Sequence, residues 1–401
     1  MAKRTGGFIG QDGLNAPDPA TGVEGSAGDG QVSVSFTSPP DAGGAAITGY
    51  RVTDSTGAFG ASGSASPITV TGLTNDTSYT FNVWAINPFG WSSPSDASGS
   101  VSPVANIALI AQGFRFNSSY QDVYLNNIDQ ITISTTGNAT DFGNLTVART
   151  EAAGLSSSTR GVFGGGLVGS TSRTDVIDYV TIASSGNATD FGNLISSAGI
   201  KALGAVSSSV RGVFAGGIDS SPLNVIQYIT IASTGNATDF GDLTYGATSG
   251  LTGASSSTRG IFATASLLSY ITIASTGNSV LFGGWTGGNG DFRGGCSNGT
   301  RAVFGGRRNG ATPYNNMEYF TIASTGNGTD FGDLTVARYA LSGTSGGNRG
   351  VFAGGRDQSA NTYNTIDYID ISSTGNATDF GDLTQTCTGT AACSNAHGGI
   401  S

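Results

Sequence analysis

The sequence predicts an all-β protein in two unlike parts, and three observations lead there. From about residue 104 to the C-terminus one unit recurs, marked by Phe142, Phe191, Phe240, Phe282, Phe331 and Phe380 at steps of 49, 49, 42, 49 and 49 residues. A period in the forties marks an array of supersecondary units, none able to bury its apolar faces alone. Strong helix formers are scarce: Lys3 and Lys201 are the only lysines and Glu24, Glu151 and Glu318 the only glutamates, while glycine supplies 65 residues. Ahead of the array the chain reads as alternating strands, as in Val32-Ser-Val-Ser-Phe36 and Ile68-Thr-Val-Thr71.

Each copy reads as four strands. In the last one, residues 339–345 give the first strand, Arg349-Gly-Val-Phe-Ala-Gly-Gly355 the second and 366–371 the third. A Ser-Thr-Gly-Asn turn then leads to Ala377-Thr-Asp-Phe-Gly381 as the fourth. Residues 160–166, 211–217, 259–265 and 301–306 repeat the second strand. The Gly-Asn pair is expected to supply the positive φ of a tight hairpin loop. Four antiparallel strands at this period describe a β-propeller blade. The first copy starts at its second strand, residues 107–112, and residues 386–394 align with the missing first strand. A ring of six blades closed by the C-terminal strand follows, because closure removes exposed sheet edges.

The blades resemble the kelch type. That family ends its second strand in Gly-Gly, as Gly354-Gly355 does here, and places an aromatic in the third strand, here Tyr179, Tyr228, Tyr270, Tyr319 and Tyr368. It commonly has Trp in the fourth strand, where this chain has the six marker phenylalanines. The resemblance covers about three quarters of the chain and implies ligand contacts through the loops between second and third strands.

Residues 16–103 carry a different pattern. Gly72-Leu73 is followed by Thr77, Tyr79, Phe81, Val83, Ala85, Asn87 and Gly90 at alternating spacing. This stretch resembles a fibronectin type III domain, an immunoglobulin-like sandwich in which Tyr79 would be the corner tyrosine tied back to the backbone. Phe36 stands where that family usually has Trp. The resemblance implies a spacer or adhesive module.

Spacing within the array locates a candidate surface. The third-strand position lies 12 residues before the marker Phe in every copy, but the second-to-third distance runs 20, 16, 14, 8, 15 and 16. Loops free to vary on a rigid scaffold are where recognition is built. They hold Phe114, Arg115, Phe116, Tyr120 and Tyr124 in the first copy, Arg173 in the second, Arg307, Arg308 and Tyr314 in the fifth, and Arg356, Asp357 and Tyr363 in the sixth. Arg115, Tyr120, Arg173, Arg307, Arg308, Tyr314, Arg356 and Tyr363 are the candidate ligand-binding residues. Aromatic faces beside Arg, Asn and Asp suit sugar rings; ordinary solvated loops are the alternative. The glycine-rich residues 1–15 read as a tail, or as an assembly arm that inserts Phe8 and Ile9 into a neighbouring subunit.

Composition removes several classes. A net charge of -10 with only 11% charged residues argues against phosphate-backbone binding, so no nucleic acid partner is expected. No export signal or membrane-spanning run is visible, so no membrane insertion is expected. Cys296, Cys387 and Cys393 make no disulfide framework; a Cys387–Cys393 pair and small core thiols both remain open. Asp-Phe-Gly at 141–143, 190–192, 239–241, 330–332 and 379–381 is a structural repeat, because kinase chemistry needs a β3 lysine and a catalytic loop beside it. The Asn-Ala-Thr triplets sit in the turns and are not expected to be glycosylated. A copper oxidase of the kelch kind needs two histidines, and His397 is the only one. No cofactor and no metal site is expected.

The whole arrangement resembles kelch-repeat proteins encoded by phages. It leads to the expectation of a non-enzymatic virion structural protein of a tailed bacteriophage, a fibre, tail-tip or capsid-surface component on the exterior of the particle. It would be present in several copies, held to other virion proteins through the arm, with the ring turned to a host surface glycan or protein. The alternative is a bacterial extracellular or cell-surface adhesin or lectin, and after it a glycan-active enzyme.

Overall fold

A computed structural model describes residues 14–117, 119, 121–244 and 250–400. Among the described residues there are strands and no helix. The chain divides between Asn106 and Ile107 into two compact units.

In the first unit Thr21–Gly28, Gln31–Thr37 and Ile68–Thr71 form a three-stranded antiparallel sheet. Gly60–Gly63, Gly49–Asp54, Phe81–Asn87 and Gly90–Trp91 form a four-stranded one. Period-two alternation sends Val32, Val34 and Phe36 from one sheet and Tyr50, Val52, Phe81, Val83 and Ala85 from the other into a shared core. Phe36 packs against Tyr50 with ring centroids 4.8 Å apart, so an aromatic fills the position expected to need one. The Tyr79 hydroxyl accepts the Thr74 N–H at 3.1 Å, the expected tie to the backbone. Beyond Trp91 the chain makes no regular strand along Phe81–Asn87. The hydroxyls of Ser92, Ser95 and Ser98 instead accept the N–H groups of Ala85, Val83 and Phe81, which satisfies that edge.

The second unit holds six four-stranded antiparallel sheets, I to VI, each ordered first, second, third, fourth strand. Sheet II is Ala153–Ser156, Arg160–Gly164, Val176–Thr181 and Thr189–Asn193. Sheets III, IV, V and VI repeat it with first strands Gly204–Ser207, Thr252–Ser255, Gly294–Ser297 and Ser342–Gly346. Sheet I takes its first strand from the C-terminal end: Ala391–Ser394 pairs with Ile107–Ala111, Cys393 opposite Leu109. Two strand boundaries differ from expectation. Thr386 and Cys387 extend the fourth strand of sheet VI, Thr378–Cys387, and Tyr339 precedes the first strand and bridges to Arg356.

The first strands touch in the order I, II, III, IV, V, VI and back to I, and a cycle of side-chain bonds follows the same order. Each first strand carries a buried serine, Ser394, Ser156, Ser207, Ser255, Ser297 and Ser345. The Ser156 hydroxyl donates to the Ser394 carbonyl at 2.7 Å, Ser207 to Ser156 at 2.9 Å, and Ser255 to Ser207 at 2.9 Å. Ser297 donates to Ser255 at 2.7 Å, Ser345 to Ser297 at 2.6 Å, and Ser394 to Ser345 at 2.5 Å, which returns to the start. Beside this cycle, His397 Nε2 lies 3.1 Å from Ser207 Oγ and 3.2 Å from the Ser156 carbonyl oxygen, while Nδ1 accepts the Gly399 N–H. Burial lowers the His397 pKa to about 4, against an upward pull from the Ser156 carbonyl.

Outer latches repeat the pattern. The Asn of each Gly-Asn pair accepts a backbone N–H from the fourth strand of the preceding sheet: Asn187 from Asn144, Asn236 from Asn193, Asn376 from Asp333, and Asn138 from Asp382 of sheet VI. Five second strands open with an Arg stacked on the third-strand Tyr, 4.3 to 4.7 Å from the ring centroid. These guanidinium groups donate to a carbonyl of the following sheet, Arg349 reaching Ile133 of sheet I.

The Gly-Asn pair carries the expected positive φ in only half of the copies, with Gly137 at 158°, Gly235 at 158° and Gly277 at 152°. Gly186, Gly326 and Gly375 take no positive φ, and at all six of these glycines a Cβ would meet nothing within 4 Å. The steric demand falls on the glycine after the marker Phe. Gly332 has φ 136°, and a Cβ on it would fall on the Gly375 carbonyl of the next sheet, so glycine lets adjacent sheets close. All three cysteines are free and buried. Burial pushes the Cys393 thiol up to about 12 and raises Cys296 and Cys387 as well.

Candidate binding face

The connections from fourth to first strand and the hairpins from second to third meet at one end of the sheets. Five residues before each ring serine stands one with left-handed backbone: Glu151 (φ 55°), Ala202 (59°), Gly250 (75°), Phe292 (59°), Ala340 (56°) and Gly389 (65°). Four of these are not glycine, a strained choice. The conformation turns each N–H toward its neighbour's carbonyl. Glu151 donates to Gly389, Ala202 to Glu151, Gly250 to Ala202, Phe292 to Gly250, Ala340 to Phe292 and Gly389 to Ala340, at 2.7 to 3.3 Å. A second closed cycle results.

One residue earlier, Thr150, Lys201, Asp291, Tyr339 and Thr388 bridge in antiparallel fashion to Leu167, Ile218, Arg308, Arg356 and Phe114 of the hairpins. These bridges align side chains of sheets V, VI and I in an arc of alternating rings and cations. The Arg308 guanidinium lies 4.7 Å from the Phe292 centroid and 5.2 Å from Tyr339, and it pairs with Asp291 at 3.1 Å. The Arg356 guanidinium lies 5.0 Å from Tyr339 and 5.7 Å from Phe114. Phe114 stacks on Tyr124 and meets Phe116 edge-on. Across the cycle, Lys201 pairs with Glu151 at 3.0 Å.

The expected residues divide accordingly. Arg308 and Arg356 belong to the arc, and Arg115 sits beside Phe114 on the strand Phe114–Phe116. Arg173 lies apart, in the sheet II hairpin Leu167–Val168 with Ser172–Arg173. Arg307 was expected on a loop for ligand contact, but it is a strand residue only 5% exposed. Its guanidinium donates to Gly287, Asn289 and Asn316 and stacks on Tyr314 at 3.8 Å. Arg307 and Tyr314 therefore hold the hairpin. The Tyr363 hydroxyl donates to Asp357, which also closes its own loop on Ser359 and Asn361. Tyr120, Phe8 and Ile9 lie outside the described residues.

Tyr339, Phe292, Lys201 and Glu151 were missed. The signal was the column five and six residues before the ring serine, which varies from copy to copy while the serine does not. Buried near this face, Arg293 lies 3.7 Å over the Trp285 ring and donates to Gly288. Burial and the nearby Arg307 charge bring its pKa to about 9, against Glu318 and Asp291. Among the described residues no group of three His, Cys, Asp or Glu side chains is placed to hold a metal ion. The arc can stack flat rings and donate hydrogen bonds to them.

Comparison with known proteins bears on the first unit. Residues 17–100 match the model of the fibronectin type III domain. A crystal structure of domains A168-A170 from titin is similar at 34% identity over 22% of this chain and 32% of that one, with a TM-score of 0.21. The chain thus spans about a third of that structure's length. No curated protein matches the chain. Residues 17–100 are a fibronectin type III domain.

Proposed function

We propose that the second unit is a six-bladed β-propeller of the kelch kind, closed by the C-terminal strand, and that it serves as a display ring. The chain would be a non-enzymatic structural protein on the exterior of a tailed bacteriophage particle, with the fibronectin type III domain as spacer. The hydrogen-bond cycle through Ser394, Ser156, Ser207, Ser255, Ser297 and Ser345 carries the ring reading. It needs each sheet to stand beside the next and the last beside the first. The arc Phe292–Arg308–Tyr339–Arg356–Phe114 supports display, because strained backbone and variable side chains gather at one end of an otherwise repetitive scaffold. Its chemistry suits a host surface glycan. Residues 1–15 would join the chain to other virion proteins, giving several copies per particle.

Mass spectrometry and immunogold microscopy of purified particles test the location. The chain is expected among the particle proteins and labelled at the surface, and its absence would overturn the proposal. Particles carrying Arg308→Ala and Arg356→Ala together should adsorb to host cells more slowly. Unchanged adsorption would remove the arc from the reading, and turnover of a glycan would replace display with catalysis.

A further inference from the structure

The chain has three tryptophans, and two stand on the outer face of the fibronectin type III domain. Trp84 is on the strand Phe81–Asn87, where the alternation that buries Phe81, Val83 and Ala85 turns Asn82 and Trp84 outward. Trp91 pairs with Ile86 on the next strand and is 48% exposed. With Arg51, Thr53, Ser55, Thr56, Asn82, Ser92 and Pro94 they line an open groove of about 700 Å³, within the size range of small-ligand sites.

Trp285 shows what a structural tryptophan does in this protein. Its Nε1–H donates to Thr264, and its ring packs on Phe304 and Phe320. Among the described residues, Trp84 and Trp91 have neither a hydrogen-bond partner for the indole N–H nor another ring against them. Arg51, opposite Trp84 in the ladder, has no carboxylate partner among those residues either. Asp54 also lines the groove, but its carboxylate is consumed by Thr56 and the Phe59 N–H. Two free indole faces with free donors beside them match a flat ring that is apolar on one side and rich in acceptors at its rim.

We infer that this groove binds a neutral pyranose unit of a glycan, stacked on Trp84 and Trp91, with Arg51 and the indole N–H groups donating to its oxygens. Charge favours a neutral sugar over an acidic one. Arg51 and Asp54 cancel within the groove, and the chain's net charge of -10 repels a polyanion. This site is separate from the arc on the second unit and does not rest on the ring reading.

Intrinsic fluorescence tests it, because Trp285 is already packed and the two exposed indoles should dominate the response. The full chain is titrated with maltohexaose, cellohexaose, chitohexaose and mannohexaose. At least one should shift the emission saturably, and Trp84→Ala or Trp91→Ala should each weaken that binding about tenfold. Trp91→Phe keeps a stacking face and should recover part of the loss. Circular dichroism of each variant checks that the sandwich is intact. Binding that survives both alanine variants but is lost in the Arg308→Ala, Arg356→Ala variant would assign the sugar to the arc instead. No saturable shift with any of the four sugars, or binding unchanged in the two alanine variants, overturns the assignment.

Discussion

Substituting the ring serines one at a time turns closure into a measurable energy. In Ser394→Ala the hydroxyl that donates to the Ser345 carbonyl at 2.5 Å is lost, and so is the acceptor for the Ala396 N–H. Ser345 and Ser394 are fully buried, so the carbonyl is left without that partner. Such an orphaned acceptor costs about 1–3 kcal/mol. Alanine fits the vacated space, so no clash adds to this. Ser255→Ala deletes the equivalent bond to Ser207 well inside the array and should fall in the same range of about 1–3 kcal/mol. For a unit of this size either loss lowers Tm by roughly 2–6 °C in differential scanning calorimetry. That both lower Tm is what matters. In an open array Ser394 would lie at a fraying end, and its substitution would leave Tm unchanged while Ser255→Ala still lowered it. That result would refute the closure.

Further outcomes follow from the same packing. Gly332→Ala should cost about 3 kcal/mol or more, since its Cβ falls on the Gly375 carbonyl and its φ is 136°, whereas Gly375→Ala should be near neutral; equal urea midpoints would reject the close approach. His397, lowered to about 4 in the folded chain, binds its proton earlier in the unfolded chain, near 6.5. Its contribution is therefore full above pH 6.5 and is lost as pH falls from 6.5 toward 4, by at most about 3 kcal/mol. His397→Asn should flatten that part of the stability profile, and a profile identical to the parent's would count against the buried neutral imidazole. Removing residues 386–401 takes away the strand Ala391–Ser394 and should lower Tm by more than about 5 °C; an unchanged melt would contradict the terminal fastening.

Much of the fold is legible in the sequence. Repeat spacing located all six sheets because the marker Phe and the Gly-Asn turn recur in every copy and the third-strand tyrosine in five of the six, each answering a packing demand. The fibronectin type III domain was legible for the same reason: Tyr79, Phe81, Val83 and Ala85 alternate toward one core. Turn chemistry misled where a short-range rule met a long-range demand. Gly-Asn looks like a local hairpin signal, yet its asparagine serves the neighbouring sheet and the needed glycine lies after the Phe. The binding face was half legible. Loop length drew attention to Arg308 and Arg356 but also to Arg307, because length does not tell an exposed guanidinium from one whose donors are spent inside the hairpin. Tyr339 and Phe292 escaped notice because they sit in a connection of nearly constant length, where only comparison of the copies exposes the variation. The outward tryptophans of the first unit left no spacing signal of their own, since alternation alone does not say which exposed face carries a ligand.

An experimental density map of the second unit puts the ring itself to the test. Six sheets in a circle, with Ala391–Ser394 lying antiparallel against Ile107–Ala111 and Cys393 facing Leu109, is the predicted result. An open stack, a different number of sheets, or residues 391–394 anywhere else would contradict it.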